Sequence, residues 1–252
     1  MRTLLCTILA LFSLAAVAQQ RTLSPLGESI QAAMQSDIRT AAEVARDRNR
    51  RPIETLEFLG LEDDMTVVEL MPGGGWYTKI LGQVLRDDGK LYLAVGAGRA
   101  GTLGEQYPVL DKVELLGVET PFIPTDSRAV FGLAPFSLGV KKVDMVLTFR
   151  NLHNFNEAGR NAMNKAAFDA LKPGGIYGVV DHTRRHMEPL NTENFRRIDP
   201  VLVVKEMLDL GFEFEGYSPL HLKPDDELRY EVGRKSVTGN TDRFTFKFRK
   251  PR

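Results

Sequence analysis

The stretch that most narrows what this chain can become is Val67-Val68-Glu69-Leu70-Met71-Pro72-Gly73-Gly74-Gly75-Trp76-Tyr77-Thr78. The β-branched and apolar residues over 66–70 read as a buried strand with an acid, Glu69, near its end. Three glycines follow, and then Trp76, Ile80, Leu81, Val84 and Leu85 recur at helical spacing. A strand, a tight glycine turn and a helix together point backbone N–H groups into one crevice. Glycine suits that turn because a positive φ and a close ligand approach both exclude a Cβ. The expectation is a small, partly polar ligand seated there.

The rest of the chain alternates between the two periods. Residues 26–48 read as one or two helices, with Ile30, Met34, Ile38, Ala41, Ala42, Val44 and Ala45 as the apolar stripe. The charged run 46–52 reads as a solvated helix end, in preference to an arginine reaching a ligand carboxylate or a neighbouring acid. A short helix over 53–61 leads into the first strand. Further strands are expected over 89–95, 118–124 and 142–149, then an amphipathic helix over 156–171 that stops at Lys172-Pro173-Gly174-Gly175. A strand over 176–180 follows, and then a helix over 201–210 with Asp199 as its cap and Pro200 at its first position. A strand from Gly211 and an alternating strand over 243–248 close the pattern. In such a sheet the ligand crevice lies at the strand C-termini. Arg150, Asn151, His153 and Asn154 follow the fourth strand there, and Asp181 and His182 follow the fifth.

Composition narrows the partners. The 33 basic and 33 acidic residues balance, so there is no global pull toward nucleic acid or an anionic membrane. A small-molecule partner is expected. Met1-Arg2, an apolar run over 4–17 and Ala16-Val17-Ala18 have the form of a secretory signal peptide, cleaved after Ala18. The run falls short of the roughly 20 residues that span a membrane, so stable anchoring is not expected. The domain reading is thus a signal over 1–18 and one domain over 19–252, with helices over 19–62 and an α/β core over 63–252. A periplasmic or secreted location follows. Cys6, inside the signal, is the only cysteine, which excludes disulfides and thiolate chemistry from the mature chain. His182 and His186 beside Asp181 lack the alignment of a metal site, and none is expected.

The spacing Glu69-x-Met71-x-Gly73-x-Gly75 resembles motif I of the class I S-adenosylmethionine-dependent methyltransferases, acid-x-Gly-x-Gly-x-Gly, with Met71 replacing the first glycine. Leu171-Lys172-Pro173-Gly174-Gly175 before a strand resembles the pattern preceding that family's fifth strand. With 143–154, 171–184 and the C-terminal strands, the chain from about Arg46 onward is similar to a group of exported bacterial proteins predicted to be methyltransferases. The resemblance implies an α/β fold: a Rossmann-like, doubly wound, seven-stranded sheet of class I methyltransferase type, with N-terminal helices and antiparallel C-terminal strands. It implies S-adenosylmethionine as cofactor, held by Glu69, Met71, Gly73, Gly74, Gly75, Tyr77, Arg150 and Asn151. It places Asp126 near the adenine, a position where a turn-capping aspartate is equally consistent. The strand over 89–95 departs from the family, ending in Gly96-Ala97-Gly98-Arg99 where an acid commonly takes the ribose hydroxyls.

Methyl transfer to a small-molecule hydroxyl also needs a base, for which His153, Asp181 and His182 are the candidates. A structural hydrogen bond to backbone is the competing role for each histidine. Met71 and the missing acid favour a second reading, a non-catalytic ligand-binding protein on a degenerate methyltransferase fold. A nicotinamide-dependent oxidoreductase runs against the absence of G-x-G-x-x-G.

Overall fold

The computed structural model describes residues 22–120, 122–127 and 130–252. The expected export signal and Cys6 lie outside the described residues.

Four helices come first: α1 (Pro25–Met34), α2 (Ala41–Val44), α3 (Asp47–Arg50) and α4 (Pro52–Leu59). α1 begins where Ser24 Oγ accepts the Gly27 N–H at 2.9 Å, and α2 begins at a capping box of Thr40 and Glu43. Arg51, at a left-handed φ of 42°, turns the chain between α3 and α4, and Pro52 then opens α4. β1 (Thr66–Leu70), α5 (Thr78–Val84), β2 (Lys90–Ala94), α6 (Leu103–Gln106) and β3 (Glu114–Leu115) follow. β4 (Phe122–Pro124) and β5 (Phe131–Leu133) pair antiparallel as a separate ribbon. The second half supplies β6 (Val143–Phe149), α7 (Glu157–Ala170), β7 (Leu171–His182), α8 (Pro200–Asp209), β8 (Glu213–Ser218) and β9 (Arg243–Arg249).

The main sheet has seven strands in the order β3-β2-β1-β6-β7-β9-β8. β3, β2, β1, β6 and β7 run parallel, while β9 is antiparallel to both β7 and β8. Val68, Val146 and Val179 face one core cluster with Met163 of α7 and Val203 of α8. Val67, Met145 and Leu147 face the other, with Ile30, Leu56 and Ile80 from α1, α4 and α5. Helices on both faces explain why β1 and β6 read as near-continuous apolar runs. The chain builds outward from β1 to β3 and then returns to lay β6 against the opposite edge of β1. That reversal opens a crevice at the C-terminal ends of β1 and β6.

The expected caps hold: Asn156 accepts from Gly159 N at 2.8 Å, and Asp199 from Val201 N at 2.9 Å, with Pro200 at the first position. One expected strand is corrected. The third strand of the main sheet is Glu114–Leu115, a two-residue edge beside Tyr92 and Leu93, and residues 122–124 belong to the ribbon. The apolar run around Ile123 carries β propensity, but a nearby partner, Phe131–Leu133, takes up its hydrogen bonds. The fifth strand also starts earlier than expected, at Leu171, because the chain bends at left-handed Gly174 (φ 78°) without leaving the sheet.

Candidate functional site

The glycine turn keeps its geometry although its first glycine is missing. Met71 adopts a left-handed φ of 50° and donates its N–H to Ala94 O, at the end of β2, at 2.9 Å. Val95 (φ 61°) and Arg150 (φ 65°) take the same conformation just past β2 and β6. Three neighbouring strand ends thus carry a non-glycine residue in a region that costs about 1–2 kcal/mol per side chain, a concentration of strain typical of ligand sites.

Within the turn the glycines divide their roles. A Cβ on Gly75 (φ 81°) would fall 2.3 Å from Leu103 Cδ1, so Gly75 is required for packing. Gly73 (φ 61°) has nothing within 4 Å of such an atom, and Gly74 only Arg99 Nη2 at 3.9 Å. The backbone of Gly73 and Gly74 is therefore open, and what it opens on is a cavity of about 720 Å³.

Glu69, Met71, Gly73, Gly74, Tyr77, Arg150 and Asn151 all line this cavity. Gly75 stands behind them. Glu69 is 3 % exposed, its Oε2 accepts from Thr78 Oγ1 at 2.6 Å, and burial raises its pKa to about 7. Tyr77 stacks on Phe149 with ring centroids 3.6 Å apart. Asn151 Nδ2 donates to Leu70 O and Thr148 Oγ1, both at 3.1 Å, so this amide ties the ends of β1 and β6 together. Asp126 is a correction: it is exposed and lines a different cavity of about 850 Å³, shared with Asn154 and Arg196. Its strand lies in the ribbon rather than at the sheet's third position, which carries it away from the glycine turn.

The N-terminal helices form a wall that the sequence reading missed. Thr40, Glu43, Arg46 and Arg50 line the cavity, and Trp76 Nε1 donates to Glu43 O at 2.9 Å. The charged run 46–52 is therefore not simply a solvated helix end. Arg50 is buried and Arg46 flanks the cavity; their four-residue spacing, which places both on one helical face, was the available signal. On the β2 side Arg99, Gln106 and Tyr107 form the cavity wall, with no acid among them.

Beyond the cavity, Asp181, next to last in β7, is fully buried. It accepts the backbone N–H groups of His153 (3.1 Å) and His182 (2.7 Å), and its Oδ1 lies 2.5 Å from His153 Nδ1. A carboxylate only accepts, so Nδ1 carries a proton, and in the neutral ring Nε2 is the nitrogen with the lone pair. No described residue bonds that atom. His182 lies with its ring 5.7 Å from that of His153, and its Nδ1 is 3.0 Å from Thr241 Oγ1. Burial first, and then the charge of Arg243, hold its pKa well below the ordinary histidine value, so it stays neutral. The structure thus joins Asp181 with His153 and gives His182 a structural hydrogen bond. His186 pairs instead with Asp199, and the described residues contain no group of three side chains suited to a metal.

No family model matches the sequence, and no curated protein does. Solved structures match the fold. A SAM-dependent methyltransferase from Aquifex aeolicus aligns with a TM-score of 0.56 at 17 % identity, over 88 % of this chain and 97 % of its own. The 1,6-didemethyltoxoflavin-N1-methyltransferase of Burkholderia thailandensis, solved with 1,6-didemethyltoxoflavin and S-adenosylhomocysteine, aligns at 0.52 and 13 % identity, over 89 % and 85 %. The cyclase SpnF aligns at 0.53 and 16 % identity, over 90 % and 92 %. The chain has the Rossmann-like fold of class I methyltransferases. One of these neighbours is a cyclase, so the shared fold does not by itself fix the activity.

Proposed function

We propose that the protein transfers a methyl group from S-adenosylmethionine to a small-molecule acceptor. The observation that carries the reading is the side-chain-free backbone of Gly73 and Gly74, facing a 720 Å³ cavity at the point where the strand order reverses. When bound, the cofactor supplies a methyl group made electrophilic by its sulfonium. Gly73 and Gly74 leave room for it, Glu69 offers a buried carboxyl to its cationic end, and Tyr77 and Asn151 keep the walls fixed. The fit is imperfect on the β2 side, where Arg99 replaces a ribose-binding acid.

His153 is the base of this reading. Asp181 fixes its tautomer and orientation, Nε2 takes the proton of the acceptor's hydroxyl, and the buried carboxylate stabilises the imidazolium that forms. The loop bearing His153 joins the two cavities: Arg150 and Asn151 line the first and Asn154 the second. This arrangement favours catalysis over simple ligand binding. We keep export as part of the proposal; recovery of a chain beginning at Gln19 from the periplasm supports it, and a cytoplasmic chain retaining residues 1–18 sinks it.

Calorimetric titration with S-adenosylmethionine and S-adenosylhomocysteine tests the reading. Micromolar binding of either supports it, and no binding up to millimolar concentration overturns it. With an acceptor found by turnover screening, His153→Gln is expected to lower the rate about 10²–10⁴-fold while cofactor affinity stays put.

A further inference from the structure

Arg46, Arg50 and Arg150 line the cavity, Arg243 lies beside them, and among the described residues no acid forms an ion pair with any of the four. Arg50 is 6 % exposed; its guanidinium lies 4.3 Å over the Trp76 ring and 5.6 Å from that of Tyr77. The guanidinium makes no hydrogen bond or ion pair with any described residue. Arg150, on its left-handed backbone at the end of β6, likewise has an unpartnered guanidinium among the described residues. Arg243 gives Nη1 to Asn49 O at 2.8 Å and keeps a buried Nε without a partner. Arg46 stands exposed on the cavity wall.

The four charges act on one another. Burial first, and then the Arg150 charge, pull the Arg50 guanidinium down to about 8, which still leaves it protonated at neutral pH. Glu69 reaches Arg50 only through space and spends its own hydrogen bond on Thr78. Meanwhile the backbone at Arg50 is pinned: its carbonyl accepts from Thr55 Oγ1 (3.0 Å), Tyr77 Oη (3.3 Å) and His221 Nε2 (3.0 Å). The fold therefore holds a largely buried cation at the cavity wall with no protein partner for its N–H groups among the described residues, an arrangement that a ligand anion would complete.

We propose that Arg50 and Arg150, with Arg46 beside them, receive a carboxylate or phosphate group of the methyl acceptor, which is therefore an anionic small molecule. The word acceptor rests on the methyl-transfer reading; the anion site rests on the arginines alone. A guanidinium stacked on an aromatic face keeps its N–H edge free for the two oxygens of such a group. The cofactor's own amino-acid end is the poorer match, because its one carboxylate brings an ammonium that the cluster repels. The cofactor is a net cation, so the acceptor's anion and the cofactor are expected to strengthen each other's binding.

The test is thermal shift and calorimetry on the whole protein with inorganic phosphate and with succinate, with and without S-adenosylhomocysteine, against sodium chloride of equal ionic strength. Phosphate or succinate is expected to raise Tm beyond the chloride control and to leave S-adenosylhomocysteine affinity unchanged or tighter. Arg50→Met is expected to weaken phosphate binding at least about tenfold while its ligand-free Tm equals or exceeds that of the parent; Arg150→Gln gives the same loss if Arg50→Met does not fold. No stabilisation beyond chloride, or equal stabilisation of both variants, overturns the site. Competition between phosphate and S-adenosylhomocysteine on the parent protein overturns the assignment to the acceptor and gives the guanidiniums to the cofactor's carboxylate. If the anions bind and S-adenosylhomocysteine does not, the methyl-transfer reading falls and the anion site stands.

Discussion

At the scale of single residues the two kinds of glycine in the turn separate packing from binding. Gly75→Ala drives a Cβ into Leu103 on a left-handed backbone, and should cost about 2–4 kcal/mol in urea unfolding. Gly74→Ala meets no atom closer than 3.9 Å and should fold normally, within about 0.5 kcal/mol of the parent, yet weaken S-adenosylhomocysteine at least about tenfold by filling the cradle. Glu69 gives a pH signature. Its folded pKa of about 7 stands above the ordinary 4.5, so between those values the unfolded chain ionises it and the folded chain does not. Stability from this group is full at low pH, falls as pH rises through that window, and stays reduced above it. Glu69→Gln should therefore match the parent near pH 4 and exceed it at pH 8, by at most about 3 kcal/mol. Glu69 and the glycines were legible because strand, acid and turn are contiguous in sequence. The burial of Arg50 was not, because it depends on the turn at Arg51 and on His221, which lies 171 positions away.

At the scale of elements, the junction of α3 and α4 is fastened to β9 through one imidazole. His221 Nε2 must donate to the Arg50 carbonyl, which leaves Nδ1 to accept from Thr245 Oγ1 at 2.6 Å. Burial lowers its pKa from 6.5 to about 4, so the folded chain keeps it neutral while the unfolded chain protonates it. Its contribution is present above pH 6.5 and is lost as pH falls toward 4, by at most about 3 kcal/mol. His221→Gln retains a donor for the carbonyl and removes the titration. Chemical unfolding from pH 7 to pH 4 should show a shallower acid loss in that variant, and equal slopes would refute the assignment. Elements with strong periodicity, β1 and β9 above all, were readable in place. The edge strand Glu114–Leu115 was not, because two exposed residues carry no pattern and owe their pairing to β2.

At the scale of the whole molecule, the sheet order places the glycine turn, Arg150, Asn151, His153 and Asp181 at one edge. Alternation of strands and helices foretold that edge, since parallel strands covered on both faces leave only their C-terminal ends open. Which side chains meet there was less readable: Asp126 depended on a strand assignment that moved, and the Asp181–His153 pair depended on how two adjacent strands end. The left-handed backbone of Met71 carries a wider consequence. Its N–H is bonded to Ala94 O, so the bend belongs to the pairing of β1 with β2 and not to the side chain at that position. Any residue that tolerates about 1 kcal/mol of local strain can therefore stand there. Divergence can erase the first letter of such a signature while the pocket persists, and distant kin of this chain are better recognised by the path of their backbone than by a count of glycines.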